Sequence, residues 1–175
     1  MPRTKRFSLL FACLANLALA APVSAPPKLE LALPELRSQQ AFRLSAEPAK
    51  PTVVNFWTNG CAPCLGELRY FSQLALAHPE VRFLGVALDS RDAALKLLDD
   101  NALSFTNLLA PEDPRPLLRS FGNGIVAMPF TIILNPDRSR CWANLGELDR
   151  ARFNQAFDYC ALGHRQAVTP ARARS

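Results

Sequence analysis

A two-residue spacing between cysteines constrains this chain more than any other feature, because Cys61-Ala62-Pro63-Cys64 stands where one periodicity gives way to another. Before it, Thr52 to Trp57 is a compact β-branched and aromatic run that reads as a buried strand. After it, Leu65, Leu68, Phe71 (or Ser72), Leu74 (or Ala75) and Leu76 recur at helical spacing until His78-Pro79 ends the pattern. Strand, tight turn and helix therefore meet at the cysteines, and a strand buried on both faces requires a layered α/β fold.

The alternation continues downstream. Val81 to Leu88 is another apolar run, and Ala93, Ala94, Leu97 and Leu98 mark a second helix ending near Asn101. Phe105 to Leu109 reads as a short strand, and Arg115 to Phe121 as a short helix opened by Pro114 and Pro116. Beyond the Gly122-Asn123-Gly124 loop, Pro129 introduces a strand at Phe130 to Leu134, and Asn135 to Arg138 form a tight turn. Arg140 to Leu145 then returns antiparallel, and a last helix from about Leu148 to Leu162 places Phe153, Ala156, Phe157 and Cys160 on one face. Upstream, the alternation of Leu29, Leu31 and Leu33 and the run Ala41 to Leu44 predict an additional short hairpin.

At 175 residues the chain is one domain with extensions. Arg3, Lys5 and Arg6 precede an uncharged apolar run from Phe7 to Ala21 with small residues at Ala18 and Ala20, the pattern of a secretory signal cleaved after Ala20. An uncleaved single-span anchor and lipid attachment at Cys13 are the alternatives, and all three place the domain outside the cytoplasm. The organisation expected is a signal or anchor at 1–20, an extension with a hairpin at 21–50, the main domain at 51–163 and a flexible basic tail at 164–175. Membrane contact is then confined to the N-terminal segment, if it is uncleaved. The formal charge of +5 invites a nucleic-acid reading, yet six of the 20 basic residues lie in the two end segments (Arg3, Lys5, Arg6, Arg165, Arg172, Arg174). Against 15 acidic residues the body is near neutral, so nucleic acid is not an expected partner.

With Cys13 in the leader, four cysteines remain: Cys61, Cys64, Cys141 and Cys160. An even number in an oxidising compartment suggests two pairs. A C-x-x-C at a strand-to-helix junction puts Cys61 at the helix start, where unpaired N–H groups and the dipole favour a thiolate. Cys64 lies one turn inside, giving an exposed nucleophile and a sheltered resolving thiol. The competing readings are a zinc knuckle, for which only His78 and His164 are available as additional ligands, and a purely structural bridge.

The run Val53-Val54-Asn55-Phe56-Trp57-Thr58-Asn59-Gly60-Cys61-Ala62-Pro63-Cys64, then Glu67, and far downstream Met128-Pro129-Phe130-Thr131, resembles the secreted thiol-disulfide oxidoreductases of the TlpA/ResA type, thioredoxin-like proteins related to the AhpC/TSA and Redoxin families. The resemblance spans about 29–162. It implies a thioredoxin-like three-layer fold with a central mixed sheet, the N-terminal hairpin, and a β-α insertion before a cis-proline. It also implies a protein-disulfide oxidoreductase without a cofactor or resident metal. Cys61 matches the attacking cysteine, Cys64 the resolving one, and Pro129 the cis-proline whose predecessor, Met128, offers backbone to a bound client. Trp57 and Pro63 match residues flanking the site. Asn55 stands where cytoplasmic thioredoxins carry a buried acid, whereas Glu67 matches the acid of the secreted branch, with a role in tuning the cysteines; its competing reading is a solvated first-turn carboxylate. Arg69 replaces the proline usual two residues after that Glu, and Gly60 replaces a Trp.

The expected partners are client proteins with disulfides or thiols, such as apocytochrome c or copper-site cysteines, and a membrane thiol-reductase as electron donor. Ala62-Pro63 brings no positive charge between the cysteines, which favours the reductase direction. The alternative of a different class is a non-catalytic module in which the cysteines hold a partner or Cu(I), with Met128 as a third soft ligand. Cys141 and Cys160 are expected to form a structural disulfide: Cys141 to Leu145 advances roughly 13 Å as strand. The helix from Leu148 returns roughly 18 Å by Cys160. Two free core thiols are the competing reading.

Overall fold

The computed structural model describes residues 26–163. The leader at 1–20, Cys13, His164 and the tail at 164–175 lie outside the described residues. A short hairpin of β1 (Ala32–Pro34) and β2 (Ala41–Arg43) and a 3-10 turn at Leu44–Ala46 precede β3 (Thr52–Trp57), α1 (Ala62–Ala77) and β4 (Arg82–Ala87). Then come α2 (Arg91–Asp100), β5 (Thr106–Leu109), α3 (Arg115–Ser120), β6 (Phe130–Leu134), β7 (Arg140–Leu145) and α4 (Arg150–Cys160).

The main sheet has the order β5-β4-β3-β6-β7, with β3, β4 and β5 parallel and β6 and β7 successively antiparallel. Two right-handed crossovers stepping the same way across the sheet, β3-α1-β4 and β4-α2-β5, leave α1 and α2 on one face. All six residues of β3 are buried, because both faces of this central strand are covered. Its period-2 alternation sorts the core. Val54 and Phe56 face a cluster with Leu31, Leu84, Val86, Leu118, Phe121, Phe130 and Ile132, under α3 and the N-terminal extension. Val53 faces Phe71, Phe83, Ile133, Phe153 and Phe157, under α1 and α4. Trp57 joins Leu36, Cys64, Leu68, Ala87, Ala94 and Leu98, under α1 and α2. This is the thioredoxin-like three-layer architecture.

The extension closes one sheet edge: Glu35 bridges to Leu108, and Leu36 donates its N–H to Asn107 O at 2.8 Å. One expectation about α1 changes: Leu76 is 78% exposed, because the stripe running through Cys64, Leu68 and Phe71 arrives one turn later at Ala75. Where Arg69 replaces the family's usual proline, α1 is continuous, and the Arg69 guanidinium donates to Asn101 Oδ1 at 2.6 Å.

Candidate redox site

Cys61 is the residue that begins α1 without belonging to it. Its backbone is extended (φ −93°, ψ 99°), and its Sγ accepts the N–H of Cys64 at 3.3 Å, so the sulfur occupies the position of a helix cap. Cys61 and Cys64 are joined as a disulfide with their Cα atoms 5.3 Å apart. They differ in environment: Cys61 is partly exposed, whereas Cys64 lies on the buried stripe of α1 and retains 1% exposure. On reduction the outer sulfur is the one that meets solvent and the positive end of the helix. Pro63 occupies the first turn, where its missing N–H costs no helical hydrogen bond.

The loop before Cys61 is held from β4. Asp89, just beyond that strand, accepts the Thr58 hydroxyl at 3.1 Å and the N–H of Asn59, while Asn59 Oδ1 accepts the N–H of Gly60. Gly60 has φ +76° with nothing within 4 Å of a Cβ placed there, so backbone conformation rather than crowding favours glycine. Trp57 is fully buried and donates Nε1–H to Asn107 Oδ1 at 3.0 Å. A Cβ on Gly85 would stand 1.8 Å from that Asn107 oxygen and 2.9 Å from Trp57 Nε1, so only glycine admits the pair.

The Met128–Pro129 peptide bond is cis. Met128 packs against the cluster holding Trp57, Cys61 and Cys64, and the N–H of Gly146 donates to Pro129 O at 2.8 Å. The preceding loop is clamped by buried Asn123, which donates Nδ2–H to Ala127 O at 2.8 Å and accepts the Ala127 N–H at 3.0 Å.

Glu67 is 5% exposed, which removes the solvated-carboxylate reading. Spaced three residues from Cys64 and four from Phe71, it falls on the buried stripe by helical geometry alone. Its Oε2 accepts Asn55 Nδ2–H at 2.9 Å and the Thr131 hydroxyl at 3.1 Å, and its Oε1 accepts the N–H of Leu148 at 2.9 Å. Asn55 also donates to Thr131 Oγ1 at 3.0 Å, while its Oδ1 is buried without a partner among the described residues. Loss of solvation pushes the carboxyl of Glu67 up to about 7, against the opposing pull of Thr131, Leu148 and Asn55. The carboxyl thus ties α1 to β3, β6 and the turn before α4.

On the far side, Cys141 of β7 and Cys160, the last residue of α4, are bonded with Cα atoms 6.0 Å apart. Among the described residues no group of three or more His, Cys, Asp or Glu is placed to hold a metal ion. Sequence reasoning missed Asp89, Asn107, Leu148 and the hydrogen-bonding role of Thr131; none is marked by spacing, because each arrives from a separate element.

Fold and site together define a thioredoxin-like protein with a C-x-x-C disulfide at a helix start. A family model described as the AhpC/TSA family matches residues 25–139, and the chain belongs to that family. It is 40% identical over 60 residues to the soluble secreted antigen MPT53 of Mycobacterium tuberculosis. That alignment covers 34% of this chain and 35% of the relative, so the match spans about a third of the curated protein. Among solved structures, a putative thiol:disulfide interchange protein DsbE from Chlorobium tepidum superposes with a TM-score of 0.67 at 19% identity, covering 79% of this chain and 98% of that one. The dsbF protein of M. tuberculosis gives 0.65 at 24% identity, covering 79% and 100%. These likenesses establish the fold.

Proposed function

We propose that this protein is an extracytoplasmic protein-disulfide oxidoreductase that exchanges its Cys61–Cys64 disulfide with client proteins, working chiefly as a reductase. The observation that carries this reading is the asymmetry of the pair: a partly exposed sulfur capping α1 and a buried sulfur one turn inside it. In the reduced protein the Cys61 thiolate attacks a client disulfide and expels one client sulfur as thiolate. Cys64 then loses its proton to the Glu67 carboxylate and attacks Cys61 Sγ. The Cys61–client bond breaks, the second client sulfur leaves with the electron pair, and two electrons have passed to the client.

Each remaining residue has a place in that cycle. Met128 and Pro129 offer backbone to an extended client segment, Trp57 and Asn107 brace the strand end behind the cysteines, and Asp89 fixes the approach to Cys61. Cys141 and Cys160 serve structure. An N-terminal signal or anchor at 1–20 and the secreted relative support an extracytoplasmic setting, where a reductase draws electrons from a membrane thiol-reductase. Maturation of cytochrome c or copper-site cysteines is the client class that the TlpA/ResA resemblance suggests.

The test is insulin reduction with dithiothreitol alongside Cys61→Ser and Cys64→Ser variants. Acceleration that vanishes in both variants supports exchange, and a wild-type protein no faster than dithiothreitol alone sinks it. Trapping with Cys64→Ala then identifies the clients.

A further inference from the structure

Glu67 is buried, yet it is not sealed. It lines a cleft of about 400 Å³ together with Ala62, Pro63, Gly66, Tyr70, Glu147, Leu148 and Arg150, between the first half of α1 and the turn leading into α4. Among the lining residues is Gly66, in the second turn of α1, where a Cβ would meet nothing within 4 Å. Glycine inside a helix is less favourable than alanine, and no neighbour here demands it. What a longer side chain would take is the open volume. Two other lining residues are fixed to each other: the Arg150 guanidinium lies 4.7 Å over the Tyr70 ring, and the Tyr70 hydroxyl donates to Asn154. A polar cleft of this size admits water.

We propose that this cleft is the proton port of the redox site, with Gly66 as the positioning residue that keeps it open so that Glu67 exchanges its proton with bulk water in each turnover. The proposal rests on the reading of Glu67 as proton acceptor for Cys64. When Cys64 closes the disulfide, its proton moves to Glu67 and then leaves through the cleft; in the reverse direction water delivers it. Cys64 stands three residues before Glu67 on the same buried stripe of α1, and the charged and titratable groups that share the cleft with Glu67 are Tyr70 one turn on, and Glu147 and Arg150 on the α4 side. The carboxylate of Glu147 favours the protonated form of Glu67.

The experiment is stopped-flow reaction of the full chain carrying Cys13→Ser, with Cys61 and Cys64 reduced and the Cys141–Cys160 bond intact, with 5,5′-dithiobis(2-nitrobenzoate), which separates attack by Cys61 (first thiolate released) from attack by Cys64 (second). In a series Gly66→Ala, Gly66→Leu and Gly66→Met, the second phase should slow at about pH 6, where most Glu67 starts protonated and must lose its proton to water before it can accept that of Cys64, in order of side-chain volume and by about tenfold or more for Leu and Met. The first phase should keep its wild-type rate. Infrared spectroscopy should show slower hydrogen–deuterium exchange of the protonated Glu67 carboxyl in the same order. Far-ultraviolet circular dichroism identifies any variant that fails to fold, and the Ala variant then carries the exchange measurement. Glu67→Gln separates the two ideas. A slow second phase in Glu67→Gln with wild-type kinetics and exchange across the Gly66 series overturns the port alone, whereas a wild-type second phase in Glu67→Gln overturns the acceptor role on which it rests.

Discussion

Replacing Glu67 with Gln should change how stability depends on pH, with a sign that follows from burial. In the folded protein the Glu67 carboxyl titrates at about 7 instead of its usual 4.5. A group whose folded value is raised stabilises the fold fully below its unfolded value, and that contribution is lost as pH rises through the folded value. The window is therefore pH 4.5 to 7. At 1.36 kcal/mol per unit, ionising Glu67 in place costs about 3 kcal/mol by pH 8. The side chain is only 5% exposed, so solvent screens little of this cost. Gln keeps the shape, and its carbonyl accepts the Leu148 N–H. Its amide N–H₂ then replaces the oxygen that faces Asn55, whose unpartnered Oδ1 becomes an acceptor when that amide turns over.

Urea unfolding of the oxidised protein, with all four described cysteines bonded and not titrating, measures the effect. Glu35, Asp113 and Asp137 are held below their usual range by hydrogen bonds and favour stability in the opposite direction, but they cancel when variant and parent are compared at each pH. At pH 5 the two should unfold within about 1 kcal/mol of each other. At pH 8 Glu67→Gln should be the more stable by about 3 kcal/mol, with an unchanged m-value. Parallel stability curves from pH 5 to 8 would refute the reasoning, since an ionised Glu67 would then carry no burial penalty.

Brief iodoacetamide treatment of the reduced protein at neutral pH should label Cys61 roughly tenfold faster than Cys64, as mapped by mass spectrometry; preferential labelling of Cys64 would reverse the assigned roles. The bond between Cys141 and Cys160, 19 residues apart, restricts the unfolded chain, and its removal in the Cys141→Ala/Cys160→Ala double variant should cost about 3 kcal/mol in urea unfolding. Gly85→Ala drives a methyl into Asn107 and Trp57, so it should destabilise by about 2 kcal/mol or more and alter tryptophan fluorescence; an unchanged spectrum and midpoint would count against the packing described. Asp89→Ala removes the acceptor of the 58–60 loop and should slow Cys61 alkylation more than it lowers the unfolding midpoint.

Short-range chemistry makes much of this protein legible in its sequence. Thr52 to Trp57 could be read as a buried strand because residues covered on both faces must all be apolar or internally paired. The helix after Cys64, the turn at 135–138 and the hairpin near residue 33 followed equally from periodicity and turn chemistry. The placement of Cys61 at a helix start likewise needs only its neighbours along the chain.

Tertiary structure decided what depended on distant partners. Sequence left Glu67 between an acid that tunes the cysteines and a solvated first-turn carboxylate, and its burial was decided by Asn55, Thr131 and Leu148, donors brought in from β3, β6 and the turn before α4. Asp89 reached the loop before Cys61 only because β4 lies beside β3 in parallel register, Trp57 opposite Ala87. The pairing of Cys141 with Cys160 was feasible from the advance per residue of strand and helix, but not determined by it. Whether two sulfurs meet depends on the angle at which α4 leaves β7, and packing of Phe153 and Phe157 against Phe71, Phe83 and Trp142 contributes to that angle. Periodicity encodes which way a side chain faces within its own element; what it faces is set by the folding of the rest of the chain around it.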